Sequence, residues 1–244
     1  MCGRFTLHHS TEEVIDRFGV QETLFELTPR FNIAPTQQIA VVCQGVNQGA
    51  NQGANQEAKR ILTNYKWGLV PSWASDPQIG SKMINARAET LAEKPSFKKS
   101  LLTKRCLIPS DGFYEWQQEG KNKNPVYIQM KNQGLFAFAG LWDEWKSPDN
   151  TLLRTCTIIT VEPNSLISKI HHRMAAILTK ELENMWLDPS LKELDKLLEM
   201  LKPYSADEME VFPVNKAVNN TSFDSPECIK PGVVERVPIQ ETLW

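Results

Sequence analysis

Cys2 is the residue whose position offers the most chemistry. Removal of Met1, which the small cysteine side chain permits, leaves an α-amine and a thiol on one residue. The amine titrates at about 7.7–8.0 and the thiol at about 8.5, so both are partly deprotonated close to neutrality. Two reactions open from that pair. The amine can act as base for its own thiol, as in N-terminal nucleophile hydrolases, and attack an amide or ester. It can instead condense with an aldehyde, after which the thiol adds to the imine and closes a five-membered thiazolidine. An idle, buried cysteine is the third reading.

Asp111-Gly112-Phe113-Tyr114-Glu115-Trp116 sets Glu115 among aromatic rings, where desolvation predicts a raised pKa and proton exchange near neutral pH. An exposed strand glutamate between core aromatics competes with that reading. His171 and His172 are adjacent, so on an extended segment they face opposite sides and make a poor pair for one metal, although one imidazole suits a proton shuttle. His8, His9, His171 and His172 have no carboxylate or cysteine at helical ligand spacing, and no metal is expected. Asn85-Ala86-Arg87-Ala88-Glu89-Thr90 offers an amide, a guanidinium and a carboxylate, with Arg87 and Arg4 able to hold phosphates bidentately. Trp67-Gly68-Leu69-Val70-Pro71-Ser72-Trp73 places two indoles about a proline-containing loop, either as stacking platforms for unpaired bases or as core.

These groups need a frame. Ser10-Thr11-Glu12-Glu13 reads as a capping box for a short helix carrying Val14, Ile15 and Phe18, with Gly19 as its stop. Ile39–Cys43 and Arg60–Trp67 read as paired strands. The tetrapeptide repeat Asn47–Gln56 between them has nothing larger than alanine to pack and reads as a hairpin insertion. Further strands are predicted over Arg105–Ile108, Pro125–Met130, Leu135–Trp142 and Thr155–Val161. Asn164 and Thr179 each read as a helix cap. Ser190 with Glu193 opens a third helix whose stripe Leu191, Leu194, Leu197, Leu198 and Leu201 is core-facing and ends at Pro203. Few strands are separated by crossover helices, which predicts an α+β fold with a mostly antiparallel sheet and peripheral helices.

A chain of 244 residues that is 41% hydrophobic suits one compact domain, or at most two small ones. No window approaches the roughly 18 apolar residues of a membrane span, and the N-terminus has no signal-peptide core, so the expected compartment is the cytoplasm. Cys2, Cys43, Cys106, Cys156 and Cys228 are scattered without CxxC spacing, which predicts reduced thiols. A net charge of −2 argues against a generic polycation. The charge is uneven, however: Lys82 to Lys131 holds ten Lys or Arg against five Asp or Glu, and Glu181 to Glu210 nine acids against three lysines. No Gly-rich phosphate loop stands between a strand and a helix, so no nucleotide cofactor is expected.

Together Met1-Cys2-Gly3-Arg4-Phe5, Phe31-Asn32-Ile33-Ala34-Pro35, the Trp67–Pro71 and Asn85–Thr90 segments, Gly112–Trp116 and His171-His172-Arg173-Met174 resemble the SOS-response-associated peptidase (SRAP) family of abasic-site processing proteins. Phe212-Pro213-Val214 extends the likeness over nearly the whole chain. The resemblance implies a single SRAP domain over residues 1–244, with a barrel-like β core beside a groove for single-stranded DNA. It implies self-removal of Met1 and capture of the ring-opened abasic deoxyribose by Cys2 as a thiazolidine, with no cofactor. Asn85 would orient the sugar, Glu115 would move protons for imine formation and Met1 release, and His171 would assist ring opening and adduct reversal. Arg4 and Arg87 would hold phosphates, and Trp67, Trp73, Asn32 and Pro71 would meet the DNA. The family usually has proline where Ala175 stands, which predicts a looser backbone behind His171. A true peptidase acting on other chains and a non-covalent single-strand binder are the competing functions.

Overall fold

The computed structural model describes residues 2–45 and 59–232; the Asn47–Gln56 repeat and the Glu241–Trp244 tail lie outside the described residues. Three short strands, β1 (Phe5–Leu7), β2 (Glu22–Thr23) and β3 (Arg30–Ile33), and the helix α1 (Thr11–Phe18) open the chain. The capping box forms: Ser10 Oγ accepts the Glu13 N–H at 3.2 Å and Glu13 accepts the Ser10 N–H at 2.8 Å. Gly19 ends α1 in the left-handed region at φ 62°.

Next come β4 (Gln38–Gln44), β5 (Arg60–Trp67), β6 (Asn85–Arg87), α2 (Pro95–Thr103), β7 (Arg105–Ser110), β8 (Gly112–Glu119) and β9 (Asn122–Met130). β10 (Phe136–Lys146), β11 (Leu152–Val161), β12 (Met174–Ala175), β13 (Ile177–Leu178), α3 (Lys180–Leu187), α4 (Leu194–Glu199) and β14 (Met209–Pro213) complete the order. β4 and β5 pair antiparallel as the apolar runs predict, with Val41 opposite Thr63. β4, β7, β10 and β11 follow one another antiparallel, and β11 returns to β5 in parallel, Thr155 opposite Lys66. That last pairing closes five strands into a barrel, which removes their free edges. Both faces of its wall are apolar: Val42, Leu62 and Leu107 share one face, Phe138 and Ile158 lie on the other, and all five are fully buried.

A second, antiparallel sheet in the order β14-β9-β8-β1-β3 packs beside the barrel. Gly112 is required here, because a Cβ at that position would come within 2.0 Å of the Tyr127 hydroxyl. Tyr127 uses the vacated space to reach Thr6 Oγ at 2.8 Å, which joins β9 to β1.

Two helix expectations shift. The leucine-stripe helix starts at Leu194, not at Ser190, because Asp188 accepts both the Ser190 N–H (2.8 Å) and its hydroxyl (2.7 Å) in a separate turn. The segment capped by Asn164 is a single 3-10 turn, Ile167–Lys169. All five cysteines are free and buried. Among the described residues no helix is long and apolar enough to cross a membrane.

Candidate active site

Cys2 precedes β1 and is fully buried in the chain that still carries Met1. Burial, and then the negative charge of Glu115, push its thiol well above the usual range. The sulfur is therefore a neutral thiol at pH 7 and needs a partner to take its proton. β6 runs parallel to β11, with Asn85 opposite Ile158, and this pairing fixes Asn85 beside the chain start. Asn85 Nδ2 donates to the Cys2 carbonyl at 2.9 Å. Asn85 Oδ1 is buried and meets no hydrogen-bond donor among the described residues.

Glu115 sits on β8, which pairs with β1 through Phe5–Phe113 and Thr6–Gly112. The Tyr114 N–H continues the ladder to the Arg4 carbonyl at 2.9 Å, which carries the register to Glu115 and the residues next to Cys2. The Glu115 side chain is buried, with 4% of its residue surface exposed, and burial raises its carboxyl pKa in the direction its aromatic neighbours predict.

His171 follows the 3-10 turn and leads into β12. Its ring stacks on His172 with centroids 4.3 Å apart. Its Nδ1 accepts the Arg173 N–H at 3.0 Å, and burial lowers its pKa, which favours the neutral ring at pH 7. Arg173 is buried and pairs with both oxygens of Glu89, at 2.7 and 3.0 Å, while donating to the Thr160 carbonyl at 2.6 Å. This ion pair, which sequence reading missed, bolts the segment that carries Asn85 to the one that carries His171. Ala175 is buried and paired with Thr160 in β12, so the segment behind His171 is anchored to β11 despite the absent proline.

The family model described as SOS response associated peptidase (SRAP) matches residues 1–221. The chain belongs to the SRAP family. The abasic site processing protein YoqW of Bacillus subtilis is 47% identical over 234 residues, 94% of this SRAP chain and 99% of that relative. The abasic site processing protein HMCES of Gallus gallus is 36% identical over 198 residues, 71% of this chain and 58% of that relative. A crystal structure of a Bacteroides thetaiotaomicron protein superposes with a TM-score of 0.81 at 27% identity, covering 95% of this chain and 100% of that one.

Around the buried groups, the residues expected to meet DNA divide sharply in this SRAP chain. Arg87 is exposed, and its guanidinium makes no hydrogen bond or ion pair with the described residues. Arg4 is half-buried: its Nη1 donates to Asn32 Oδ1 at 2.6 Å and to the Val218 carbonyl at 2.8 Å, and its guanidinium lies over Trp116. Trp73 is 61% exposed. Three other residues expected to meet DNA are buried. Asn32 is fully buried, and its amide donates to the Val218, Asn220 and Phe223 carbonyls, so it organises a C-terminal turn. Pro71 is buried. Trp67 is fully buried, donates to the Ile84 carbonyl at 2.8 Å and meets Phe5 edge-on at 5.3 Å. The chain packs closely just after it: Gly68 sits at φ 128°, where a Cβ would lie 2.5 Å from the Gly80 oxygen. Trp67→Ala is accordingly expected to cost about 3–5 kcal/mol, and Trp73→Ala to stay within about 0.5 kcal/mol. Urea unfolding checks both, and a comparable loss at Trp73 would overturn the division.

Proposed function

We propose that this chain is an abasic-site processing protein that traps the aldehyde of an abasic deoxyribose on Cys2 once Met1 has been removed. The observation that carries the proposal is the pairing of a buried thiol with a buried, raised carboxyl, Glu115, at the residue that becomes the amino terminus. The names of the YoqW and HMCES relatives support the same substrate.

The chemistry balances with these groups alone. The Cys2 α-amine adds to the aldehyde carbon, and protonated Glu115 gives the proton with which the hydroxyl leaves as water. The resulting imine takes Sγ at carbon while the thiol proton passes, through the Glu115 carboxylate, to nitrogen. One water leaves, one C–N and one C–S bond form, and no electron is exchanged. Release of Met1 is hydrolysis of the Met1–Cys2 amide, and Glu115 is the acid-base group beside that bond.

Asn85 Oδ1, the spare acceptor, would take a sugar hydroxyl, and the neutral His171 ring would carry protons for sugar opening and for reversal. Arg87 and the remaining donors of Arg4 would hold phosphates, and Trp73 would stack on a base of a single strand. Residues 1–244 would act as one domain, in the cytoplasm and on the nucleoid.

The deciding experiment is a denaturing gel of the protein with DNA carrying one abasic site, as single strand and as duplex, beside intact DNA. A heat-stable shifted band with the abasic single strand alone is expected. No band from protein shown by mass to lack Met1 would overturn the capture, and an equal band on duplex would overturn the strand preference.

A further inference from the structure

The fold sets one histidine pair against a carboxylate that sequence spacing does not reveal. His8 and His9 follow β1, and Asp111 is the single residue between β7 and β8. Asp111 Oδ2 lies 2.9 Å from His8 Nδ1 and 3.0 Å from His9 Nδ1. The same oxygen accepts the His8 backbone N–H at 2.6 Å, and Thr6 Oγ donates to Oδ1. The carboxylate is buried, with its side chain 1% exposed, while the imidazoles are 30% and 21% exposed. The donor atoms therefore lie beneath two imidazoles whose outer edges reach solvent.

Two features distinguish this cluster from an ordinary ion pair. His8 Nδ1 is buried and makes no hydrogen bond, although the Asp111 oxygen is only 2.9 Å away. The Asp111 oxygen is instead engaged by His9 Nδ1, its hydrogen-bond partner at 3.0 Å, which leaves the His8 nitrogen as a buried polar atom that a bound cation would satisfy. The spacing also fits an ion. Bonds of about 2.1 Å to atoms 2.9–3.0 Å apart subtend roughly 90°, the angle of an octahedral or tetragonal site rather than a tetrahedral one. The surroundings already hold the ligands: Phe31 stacks on His8 at 5.1 Å, and the His8 N–H and Thr6 hydroxyl orient the carboxylate. The nearby Glu13 carboxylate is engaged in capping α1.

We propose that His8, His9 and Asp111 bind one divalent late transition-metal ion, nickel or copper, through two imidazole nitrogens and one carboxylate oxygen, with water completing the coordination. Two imidazoles and one carboxylate are the donor types these ions accept. His8 is the residue after β1, the strand leading from Cys2, and Asp111 is the residue before β8, the strand bearing Glu115. A bound ion would tie those two strands together, so its effect is on rigidity and does not depend on the proposed reaction.

Tag-free protein freed of metal with a chelator is expected to bind one equivalent of Ni²⁺ or Cu²⁺. The Cu²⁺ form should show paramagnetic-resonance coupling to two nitrogens, and the melting midpoint should rise by several degrees when the free ion is about 100-fold above Kd. His9→Gln should weaken binding by about tenfold or more and leave coupling to one nitrogen. His172→Gln, at the other histidine pair, should change neither. Should His9→Gln fail to fold by circular dichroism, His8→Gln reads the same loss. Three results would overturn the site: no saturable binding of nickel or copper tighter than about 0.1 mM, unchanged affinity in the folded His8 or His9 variant, or loss of binding in Cys2→Ala or His172→Gln.

Discussion

A Cys2→Ala protein is expected to form no heat-stable adduct with abasic DNA, a fall of at least about 100-fold in yield, while its affinity for the same DNA changes by less than about threefold. The asymmetry follows from what the side chain supplies. Alanine at position 2 still permits Met1 removal and still presents an α-amine, so an imine can form, but no thiol closes the ring. An imine is reversible and can pass into β-elimination, so the variant should leave nicked strand where the parent leaves crosslink. Affinity survives because phosphate contacts by Arg87 and Arg4, not the sulfur, would supply most of it, and those weaken steeply with salt in both proteins alike. Loss of one small buried side chain should cost about 1 kcal/mol, too little to unfold the chain. Running the gel beside a salt titration of binding separates the outcomes. A persistent adduct would remove Cys2 from the chemistry, and lost binding would show that the substitution damaged the DNA surface.

Glu115→Gln should slow adduct formation by about 10²–10⁴-fold, since imine formation and thiol addition both need a proton carrier. The same change should make the protein more stable at neutral pH. Burial raises the folded-state pKa of Glu115 above its unfolded value. Its contribution to stability is therefore full below the unfolded pKa and is lost as pH rises through the folded one. Glutamine mimics the protonated form and carries no such loss. The melting midpoint of the variant should thus exceed that of the parent by a margin that grows from pH 4 to pH 7, at about 2–4 °C per kcal/mol for a chain of this size. Melting curves across that range, with adduct rates on the same samples, check both halves. A rate within threefold of the parent would remove Glu115 from the reaction, and a gap that shrinks as pH rises would contradict the burial argument.

Sequence signals are legible where the physics is local. The Ser10–Glu13 capping box and Gly19 terminate α1 through contacts within a few residues, and the β4–β5 pair follows from two apolar runs. The surroundings of Glu115 were legible because its aromatic neighbours are adjacent in the chain. Long-range roles were not. Trp67 and Trp73 lie in one segment, yet the first packs against Phe5, 62 residues away, and the second is exposed. Asn32 belongs to a motif of the family, yet its amide binds carbonyls of residues 218–223, a role that no spacing within the motif encodes. The Glu89–Arg173 pair joins two motifs, and Asp111 meets His8 and His9, across separations of 84 and about 100 residues respectively.

The distance along the chain between the walls of this pocket sets a schedule for its assembly. Phe5 finds its neighbour at Phe113, and Arg4 reaches the carbonyl of Val218, 214 residues downstream. At about 5–20 residues per second, a ribosome needs roughly 10–40 s to travel that far. Throughout that interval the nascent amino terminus has no Glu115 strand beside it at first, and no C-terminal turn until the end. If release of Met1 depends on the completed pocket, the aldehyde-reactive amine stays covered during synthesis and is unveiled only on a finished molecule.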